Sequence, residues 1–244
     1  MIRIGVAGWG YWGAKLTRNL DRTNGAVLTA ISDPSVDRLA EAALNHPAVR
    51  LTSDSGSLFA DPSIDAIVIA SPALTHAEIA LAALRAGKHV LVEKPFAHNS
   101  ESALRVIEEG ERRGLVVMVD HTFLFSPTVL TIGRVLDGGT LGRLHRYESL
   151  RLNAATVRDD MDVLWDVAPH DLAILDHLLP ERPVTLQVTD VIADSAGRAL
   201  QARLTLGYPD TMARIDVSWI APRKTRQIRF QCDGGQLAYE DLDP

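Results

Sequence analysis

The stretch that most constrains this chain is a short apolar run followed at once by a glycine turn. Ile2 to Ala7 predict a buried strand, and Ala14 to Leu20 after the turn suit a helix. A strand, a Gly-x-Gly-x-x-Gly turn and a helix in this order bind the pyrophosphate of a dinucleotide at the helix N-terminus. A glycine-rich turn without a ligand is the alternative. We expect dinucleotide contacts from the whole turn: Gly8, Trp9, Gly10, Tyr11, Trp12 and Gly13.

A second apolar run, Ala26 to Ser32, ends in Asp33, about twenty residues after the last glycine. An acid at this place can accept hydrogen bonds from the adenosine ribose 2′-OH, and it repels a 2′-phosphate. This favours NAD over NADP. Arg38 lies close enough in sequence to keep NADP as the alternative cofactor. Asp33 could also form a turn that caps the next helix, a role compatible with ribose binding.

Strand and helix patterns alternate through the first half of the chain. Ile64 to Ala70 is a continuous apolar run, as in the strands of a parallel sheet that is covered on both faces. Ser100 to Arg113 predict a helix that Gly114 ends. Repeated units of this kind predict a doubly wound parallel sheet.

The pattern changes near His121. From Leu200 onward, apolar and polar residues alternate in close succession, which indicates antiparallel strands. The sequence therefore predicts an α/β protein of two domains. Residues 1–120 would form a Rossmann domain, and residues 121–244 a substrate-binding and oligomerisation domain of α+β type with a mainly antiparallel sheet.

Composition excludes several classes of function. The formal charge of −6 and the lack of a basic stripe argue against a nucleic-acid binder. The single cysteine, Cys232, excludes an internal disulfide and a cysteine-based metal cage, and the histidine spacing suggests no metal site. No apolar run approaches the length of a membrane span, and the chain opens directly on a core strand, without room for a signal peptide. We expect a cytoplasmic protein.

The tripeptide Glu93-Lys94-Pro95 follows the predicted strand His89–Val92, at the sheet edge where open α/β folds bind ligands. Pro95 disfavours the helical region for Lys94, so the lysine side chain can project from the strand end. Its ammonium could polarise a hydroxyl or carbonyl group and stabilise a developing alkoxide. A surface lysine in an ordinary turn is the alternative.

The segment Asp166 to His170 is the second candidate for chemistry. Pro169 disfavours helix at Ala168, so we expect Asp166 and His170 to flank a turn and not to share a helix face. The first turn of a helix would favour a neutral imidazole in His170, which could act as a general base near pH 7. Asp166 could orient His170 or bind a substrate hydroxyl. A capping aspartate and a structural histidine are the alternative.

Three other polar residues are weaker candidates. His76 lies in a capping-box pattern, Thr75 to Glu78, and could simply be exposed, although it follows a predicted strand end near the cofactor. Arg151 and Asn153, at the end of the first predicted strand of the second domain, could hydrogen-bond a polyol or be solvated. The patterns alone do not decide between these roles.

Taken together, three segments resemble the Gfo/Idh/MocA family of oxidoreductases, named for glucose–fructose oxidoreductase and inositol dehydrogenase. They are Ile4–Leu20, Ile67–Phe96 and Leu164–Leu179. A narrower similarity links three segments with enzymes of nucleotide-linked amino sugars, such as UDP-N-acetylglucosamine 3-dehydrogenases: His121 to Phe123, Arg151 to Asn153 and Leu164 to Asp171. Family members usually continue beyond this chain's last residue, and the additional part typically supplies a last strand and helices beside the substrate site.

The resemblance implies a role for each candidate residue. It places Lys94, Asp166 and His170 in the catalytic group, and it implies a cis peptide bond before Pro95 and a dimer or tetramer formed through the β-rich face. Nicotinamide contacts are implied for Ser71, Pro72, His76, Glu93 and Lys94. Substrate contacts are expected from Lys94, His121, Arg151, Asn153, Asp166 and His170.

We therefore expect a hydride-transferring oxidoreductase that uses NAD, or alternatively NADP. Its substrate would be a hydroxyl or keto carbon of a sugar, nucleotide-sugar or cyclic polyol. A non-catalytic dinucleotide-binding regulator of the same fold is one alternative. An epimerase or lyase that begins with a redox step is another.

Overall fold

The structure, a computed structural model, describes residues 1–152 and 157–242. It divides into two compact units, Met1–Asp120 and His121–Pro244. In the described ranges, no helix is both long and apolar enough to cross a membrane. The same ranges hold no group of three or more His, Cys, Asp or Glu side chains that could bind a metal ion.

The first unit contains a six-stranded parallel sheet in the order β3-β2-β1-β4-β5-β6. Its strands are β1 (Ile2–Ala7), β2 (Ala26–Ser32), β3 (Arg50–Thr52), β4 (Ala66–Ile69), β5 (His89–Glu93) and β6 (Val117–Asp120). Its helices are α1 (Tyr11–Leu20), α2 (Val36–Asn45), α3 (Gly56–Phe59), α4 (His76–Arg85) and α5 (Ser100–Arg113). The predicted Rossmann sheet is confirmed. Its strand order reverses between β1 and β4, where such folds bind ligands.

Both faces of this sheet are buried. Ile67 and Ile69 of β4 belong to one apolar cluster, and Val68 between them belongs to another. Because successive side chains of a strand point to opposite faces, β4 must be covered on both sides. This explains why its sequence is a continuous apolar run.

Two helix ends in the first unit depend on different signals. The helix α5 begins after Asn99, whose side chain accepts the Ser102 N–H, and ends at Gly114 with φ 64°. The predicted capping box before α4 is wrong: Thr75 has helical backbone angles and makes no capping hydrogen bond. Its hydroxyl donates instead to the carbonyl of Pro72 at 2.7 Å, because a 3₁₀ turn precedes α4.

The second unit contains a six-stranded sheet in the order β12-β11-β7-β10-β9-β8. Its strands are β7 (Leu144–Leu152), β8 (Thr185–Ala193), β9 (Ala199–Gly207), β10 (Met212–Ser218), β11 (Thr225–Cys232) and β12 (Gly235–Glu240). Its helices are α6 (Pro127–Asp137), α7 (Val163–Val167) and α8 (Pro169–Leu178). The β7–β10 pair is parallel and the other pairs are antiparallel, which confirms the predicted, mainly antiparallel sheet.

The strand β7 carries an unusual row of buried polar side chains. Tyr147, Ser149 and Arg151 alternate along it, so they share one face of the sheet. Tyr147 is fully buried and meets the Phe230 ring edge-on at 5.3 Å. Buried hydroxyl and guanidinium groups require partners. The contacts of this row therefore shape the second candidate group described below.

Candidate active site

The glycine turn after β1 is packed tightly at two positions and open at a third. At Gly8, with φ 96°, an added Cβ would lie 2.6 Å from the Ser71 nitrogen. At Gly13 it would lie 2.1 Å from the carbonyl oxygen of Gly8. At Gly10 its nearest neighbour would be the Arg38 guanidinium at 3.9 Å. The turn is thus fixed by its outer glycines, while the backbone at Gly10 remains accessible to a ligand.

The N-terminus of α1 also suits an anion. Gly10 provides no side-chain cap, and the first turn contains no acidic residue. The N–H groups at such an end favour a phosphate electrostatically. Trp9 serves the fold instead: its side chain is buried, and its backbone N–H donates to Asp33 at 2.8 Å. The turn and helix therefore fit a dinucleotide pyrophosphate.

Asp33 at the end of β2 makes several contacts at once. Only 2% of the residue is exposed, and its Oδ1 accepts the Ser35 N–H at 2.9 Å while Oδ2 accepts the Trp9 N–H. Ser35 in turn caps α2. The Arg38 guanidinium lies 3.5 Å from Asp33 Oδ2. The predicted turn at Asp33 is therefore present. The Asp33 carboxylate and the Arg38 guanidinium both lie at the place expected for the adenosine ribose.

The loop after β5 holds Lys94 beside a buried acid. The Lys94–Pro95 bond is cis, as the resemblance implied. Glu93 is 7% exposed, and its Oε2 accepts the Lys94 N–H at 3.1 Å. Burial raises the pKa of Glu93 to about 7, and repulsion by Asp120 and a hydrogen bond with it act in the same direction. Asp120 stands opposite Glu93 in the β5–β6 register.

His76 connects the loops that follow β4 and β5. Only 1% of the residue is exposed, so the expectation that it could be an exposed helix residue is wrong. Its Nδ1 lies 2.8 Å from the Pro95 carbonyl oxygen and its Nε2 lies 2.9 Å from that of Ser71. Since a neutral imidazole has only one N–H, it can donate to one of these oxygens at a time. His76 therefore holds the backbone beside Lys94, and Ser71 and Pro72 follow β4 at the same sheet edge.

The second candidate group lies where α7 meets α8. Ala168 has φ −65° and ψ −26°, its N–H donates to Leu164, and its carbonyl accepts the Leu172 N–H. The prediction that Pro169 makes Ala168 non-helical is wrong, because hydrogen bonds on both sides hold Ala168 in the helical region. Proline restricts the preceding residue only by preference.

Asp166 and His170 are consequently four residues apart on nearly continuous helical backbone, a spacing that places residues on one side of a helix. The expectation that they do not share a face is wrong. His170 is the second residue of α8, so the prediction that it lies in the first turn of a helix is confirmed. Asp166 Oδ2 accepts the Trp219 indole N–H at 3.2 Å. The imidazole of His170 packs edge-on against Phe123, with ring centroids 4.9 Å apart.

Arg151 lies in the interior and not at a solvated strand end. The residue is 4% exposed, and its Nε donates to Asp171 Oδ2 at 2.5 Å. Its guanidinium carbon lies 4.4 Å from the centroid of Phe123. His121 directly precedes the 3₁₀ turn that carries Phe123. Asn153, the other expected polyol contact, lies outside the described residues.

Sequence reasoning missed Asp171 and Phe123. The alternating polar residues Tyr147, Ser149 and Arg151 of β7 could have indicated that this strand requires a buried hydrogen-bond acceptor. The acceptor is Asp171, the residue after His170. No local signal identified Phe123, because its role depends on the ring and guanidinium that pack on it.

A model of the GFO_IDH_MocA family, described as an oxidoreductase family with an NAD-binding Rossmann fold, matches residues 2–121. The chain belongs to the Gfo/Idh/MocA family. This confirms the resemblance seen in the sequence, and the family's NAD-binding fold confirms the predicted dinucleotide cofactor. The match covers the Rossmann unit and includes both the glycine turn and Lys94.

Related proteins differ in what they act on. Inositol 2-dehydrogenase 2 of Saccharopolyspora erythraea is 39% identical over 75% of this chain and 56% of its own length. The 4-carboxy-2-hydroxymuconate-6-semialdehyde dehydrogenase of Sphingobium is 29% identical over 99% of this chain and 80% of its own. The structure of UDP-N-acetylglucosamine 3-dehydrogenase from Acidithiobacillus ferrooxidans has a TM-score of 0.86 at 26% identity, over 98% of this chain and 76% of its own. This chain thus spans little more than half of the inositol dehydrogenase.

Asp33→Asn should change the cofactor preference of this Gfo/Idh/MocA chain. The substitution removes the charge that repels a 2′-phosphate, while Arg38 remains 3.5 Å away. The amide oxygen of asparagine can still accept the Trp9 N–H, although the Ser35 N–H then loses its acceptor. We expect NAD to bind about tenfold more weakly, a change of about 1.4 kcal/mol, and NADP to bind more tightly. Fluorescence titrations with both dinucleotides measure this. Adding Arg38→Ala should abolish the gain for NADP, and equal affinities in the single variant and the parent would contradict the assignment.

Glu93 should make the stability of the Rossmann unit depend on pH. Because folding raises the pKa of Glu93, the folded chain holds its proton more tightly than the unfolded chain does. The stabilisation is complete below the ordinary pKa of 4.5 and is lost as the pH rises through about 7. Relative to Glu93→Gln, which keeps the neutral form, the parent should lose about 1–3 kcal/mol of unfolding free energy between pH 5 and pH 8.

Urea titrations of both proteins at the two pH values test this expectation. Glu78→Gln, in the first turn of α4, is the control. A constant difference between the parent and Glu93→Gln at both pH values would show that the Glu93 proton does not contribute.

Proposed function

We propose that this protein is an NAD-dependent oxidoreductase that acts on a hydroxyl or keto carbon of a sugar, nucleotide-sugar or cyclic polyol. The observation that carries this proposal is Lys94 at the carboxyl end of β5, where His76 holds the adjacent Pro95 carbonyl, in a chain that belongs to an oxidoreductase family with an NAD-binding fold. Asp166 and His170 supply the remaining groups. A regulator that only bound the dinucleotide would not need the Lys94 ammonium at the carboxyl edge of the parallel sheet.

We assign the cofactor to groups of the Rossmann unit. The glycine turn and the N-terminus of α1 would hold the pyrophosphate, and Asp33 the adenosine ribose. The strand ends at Ser71, Pro72 and Glu93 would contact the nicotinamide. When bound, NAD supplies the hydride acceptor or donor.

In the proposed mechanism, the chain's own residues manage the reacting oxygen. The Lys94 ammonium donates a hydrogen bond to the substrate hydroxyl and stabilises the negative charge that develops there. An imidazole nitrogen of His170 takes the hydroxyl proton during oxidation and returns it during reduction. Asp166 orients His170, and His121 and Asn153 bind other substrate hydroxyls. Arg151 is assigned no substrate contact, because its guanidinium is already buried against Asp171 and Phe123.

A substrate panel tests the proposal. The purified chain is incubated with NAD and, separately, with myo-inositol, glucose and UDP-N-acetylglucosamine, and NADH formation is followed by its absorbance. We expect NADH with at least one of them. NAD binding without turnover on any of them would favour the non-catalytic regulator. Conversion of a sugar without net NADH, detected by NMR, would favour the epimerase or lyase.

We also propose that the protein is cytoplasmic and forms a homo-oligomer through the second unit. The edge strand β8 and the residue before it expose large apolar side chains: Val184 is 71% exposed and Leu186 is 60% exposed. Exposed apolar patches of this kind commonly mark interfaces. Light scattering should give the mass of a dimer or tetramer at micromolar concentration, and a monomer mass would contradict this proposal.

A further inference from the structure

Asp171 forms a buried hydrogen-bonding centre in the second unit. No part of this residue is exposed, and it accepts hydrogen bonds from three side chains of β7. Tyr147 and Ser149 donate to Oδ1 at 2.8 and 2.7 Å, and the Arg151 Nε donates to Oδ2 at 2.5 Å. Burial raises the pKa of Tyr147 well above its usual value, so its phenol remains a donor. The carboxylate is thus fixed on both of its oxygens.

Arg151 transmits this fixed position to an aromatic ring. Its side chain is only 5% exposed, and a buried guanidinium requires a compensating charge, which Asp171 supplies. The same guanidinium lies over the Phe123 ring at 4.4 Å, within the range of a cation–π contact. The Phe123 ring in turn meets the imidazole of His170 at 4.9 Å and an interplanar angle of 68°. A continuous series of contacts therefore runs from Asp171 to His170.

We propose that Asp171 and Arg151 are positioning residues that hold the His170 ring in place through Phe123. The inference rests on the proposed function, in which His170 is the acid–base group. Asp171 follows His170 directly in α8, so the same helical turn carries the anchored carboxylate and the ring. A catalytic ring must keep one orientation to a fraction of an ångström, and packing by supporting residues provides this.

The opposite charges of Asp171 and Arg151 predict opposite shifts in the pH dependence of kcat/KM when each is removed. Asp171→Asn leaves an uncompensated guanidinium near His170, which disfavours the imidazolium and should move the acidic limb of the kcat/KM profile to lower pH. Arg151→Met leaves an uncompensated carboxylate and should move that limb to higher pH. The double variant should lie close to the parent. Four other titratable side chains keep their identity in all three variants: Tyr147 and Tyr239, which interact with Arg151, Asp166, four residues before His170, and His121, two residues before Phe123.

The test compares these variants with Phe123→Leu, which keeps the ion pair but removes the ring. We expect kcat to fall about 10–100-fold in each single variant, with the KM for substrate and the Kd for NAD within about twofold of the parent. Asp216→Asn is the matched control, since Asp216 accepts from Arg203 at 2.6 Å on the same sheet. Asp216 lies between the core residues Ile215 and Val217, so it points to the opposite face. The control should keep the parent's kcat and pH profile.

The outcomes separate this inference from the proposed function. If His170→Ala loses turnover while Phe123→Leu, Asp171→Asn and Arg151→Met keep the parent's kcat and pH profile, the positioning role is overturned and the function stands. If His170→Ala itself keeps full turnover, His170 is removed from the mechanism and the positioning role is overturned with it, whereas the proposed function fails only if the parent binds NAD and forms no NADH with any substrate. Should the charge variants fail to fold, Phe123→Leu decides alone, because it leaves the buried pair intact: an unchanged kcat overturns the inference and a reduced kcat supports it.

Discussion

Lys94→Ala and His170→Ala are each expected to lower kcat by about 10²–10⁴-fold while leaving NAD affinity unchanged. In the proposed mechanism, the lysine variant loses the ammonium that stabilises charge on the reacting oxygen. The histidine variant loses the group proposed to take the hydroxyl proton. Neither group is proposed to contact the pyrophosphate or the adenosine ribose, which would hold most of the dinucleotide, so dinucleotide binding should persist. Steady-state kinetics and NAD titration by fluorescence measure the two effects separately.

Two exposed residues of the same types provide controls. His177 lies in the last turn of α8, and Lys224 precedes β11. His177→Ala and Lys224→Ala should retain the parent's kcat. Full turnover in Lys94→Ala or in His170→Ala would remove that residue from the mechanism.

Gly13→Ala should have the largest effect on stability. The new Cβ would lie 2.1 Å from the carbonyl oxygen of Gly8, a backbone atom that cannot move without opening the turn. We expect a loss of at least about 3 kcal/mol of unfolding free energy, or failure of the first unit to fold. Thermal and urea unfolding, followed by circular dichroism, measure this loss.

Gly10→Ala is the matched comparison within the same turn. Its Cβ would meet only the Arg38 guanidinium, at 3.9 Å, and Gly10 has φ −83°, which alanine adopts freely. The fold should therefore persist, while the methyl group crowds the bound phosphates and weakens NAD binding. Normal stability in Gly13→Ala, or unaltered NAD affinity in Gly10→Ala, would contradict this account of the turn.

Features set by local chemistry were predictable from the sequence. The glycine turn, the acid at the end of β2 and the Gly114 end of α5 each follow from backbone requirements of a few neighbouring residues. The position of Lys94 at the carboxyl end of β5 was predictable for the same reason, because the strand and Pro95 adjoin it in sequence. Such signals need no knowledge of distant contacts.

Features set by tertiary contacts were not predictable. Ala168 remains helical because hydrogen bonds on both sides outweigh the preference imposed by Pro169. Arg151 is buried because α8 brings Asp171 against β7, twenty residues away in sequence. His76 links two loops that only the folded sheet places side by side. Periodicity gives no information on such pairings.

Isotope tracing distinguishes the proposed transfer of a hydride between a sugar or polyol carbon and NAD from binding without chemistry. The protein is incubated with NAD and either myo-inositol deuterated at C2 or UDP-N-acetylglucosamine deuterated at C3, and the cofactor is analysed by mass spectrometry. We predict that at least one substrate yields NADH carrying a single deuterium. A cofactor that binds the protein yet stays oxidised and unlabelled with both substrates would show that no hydride is transferred from either of them.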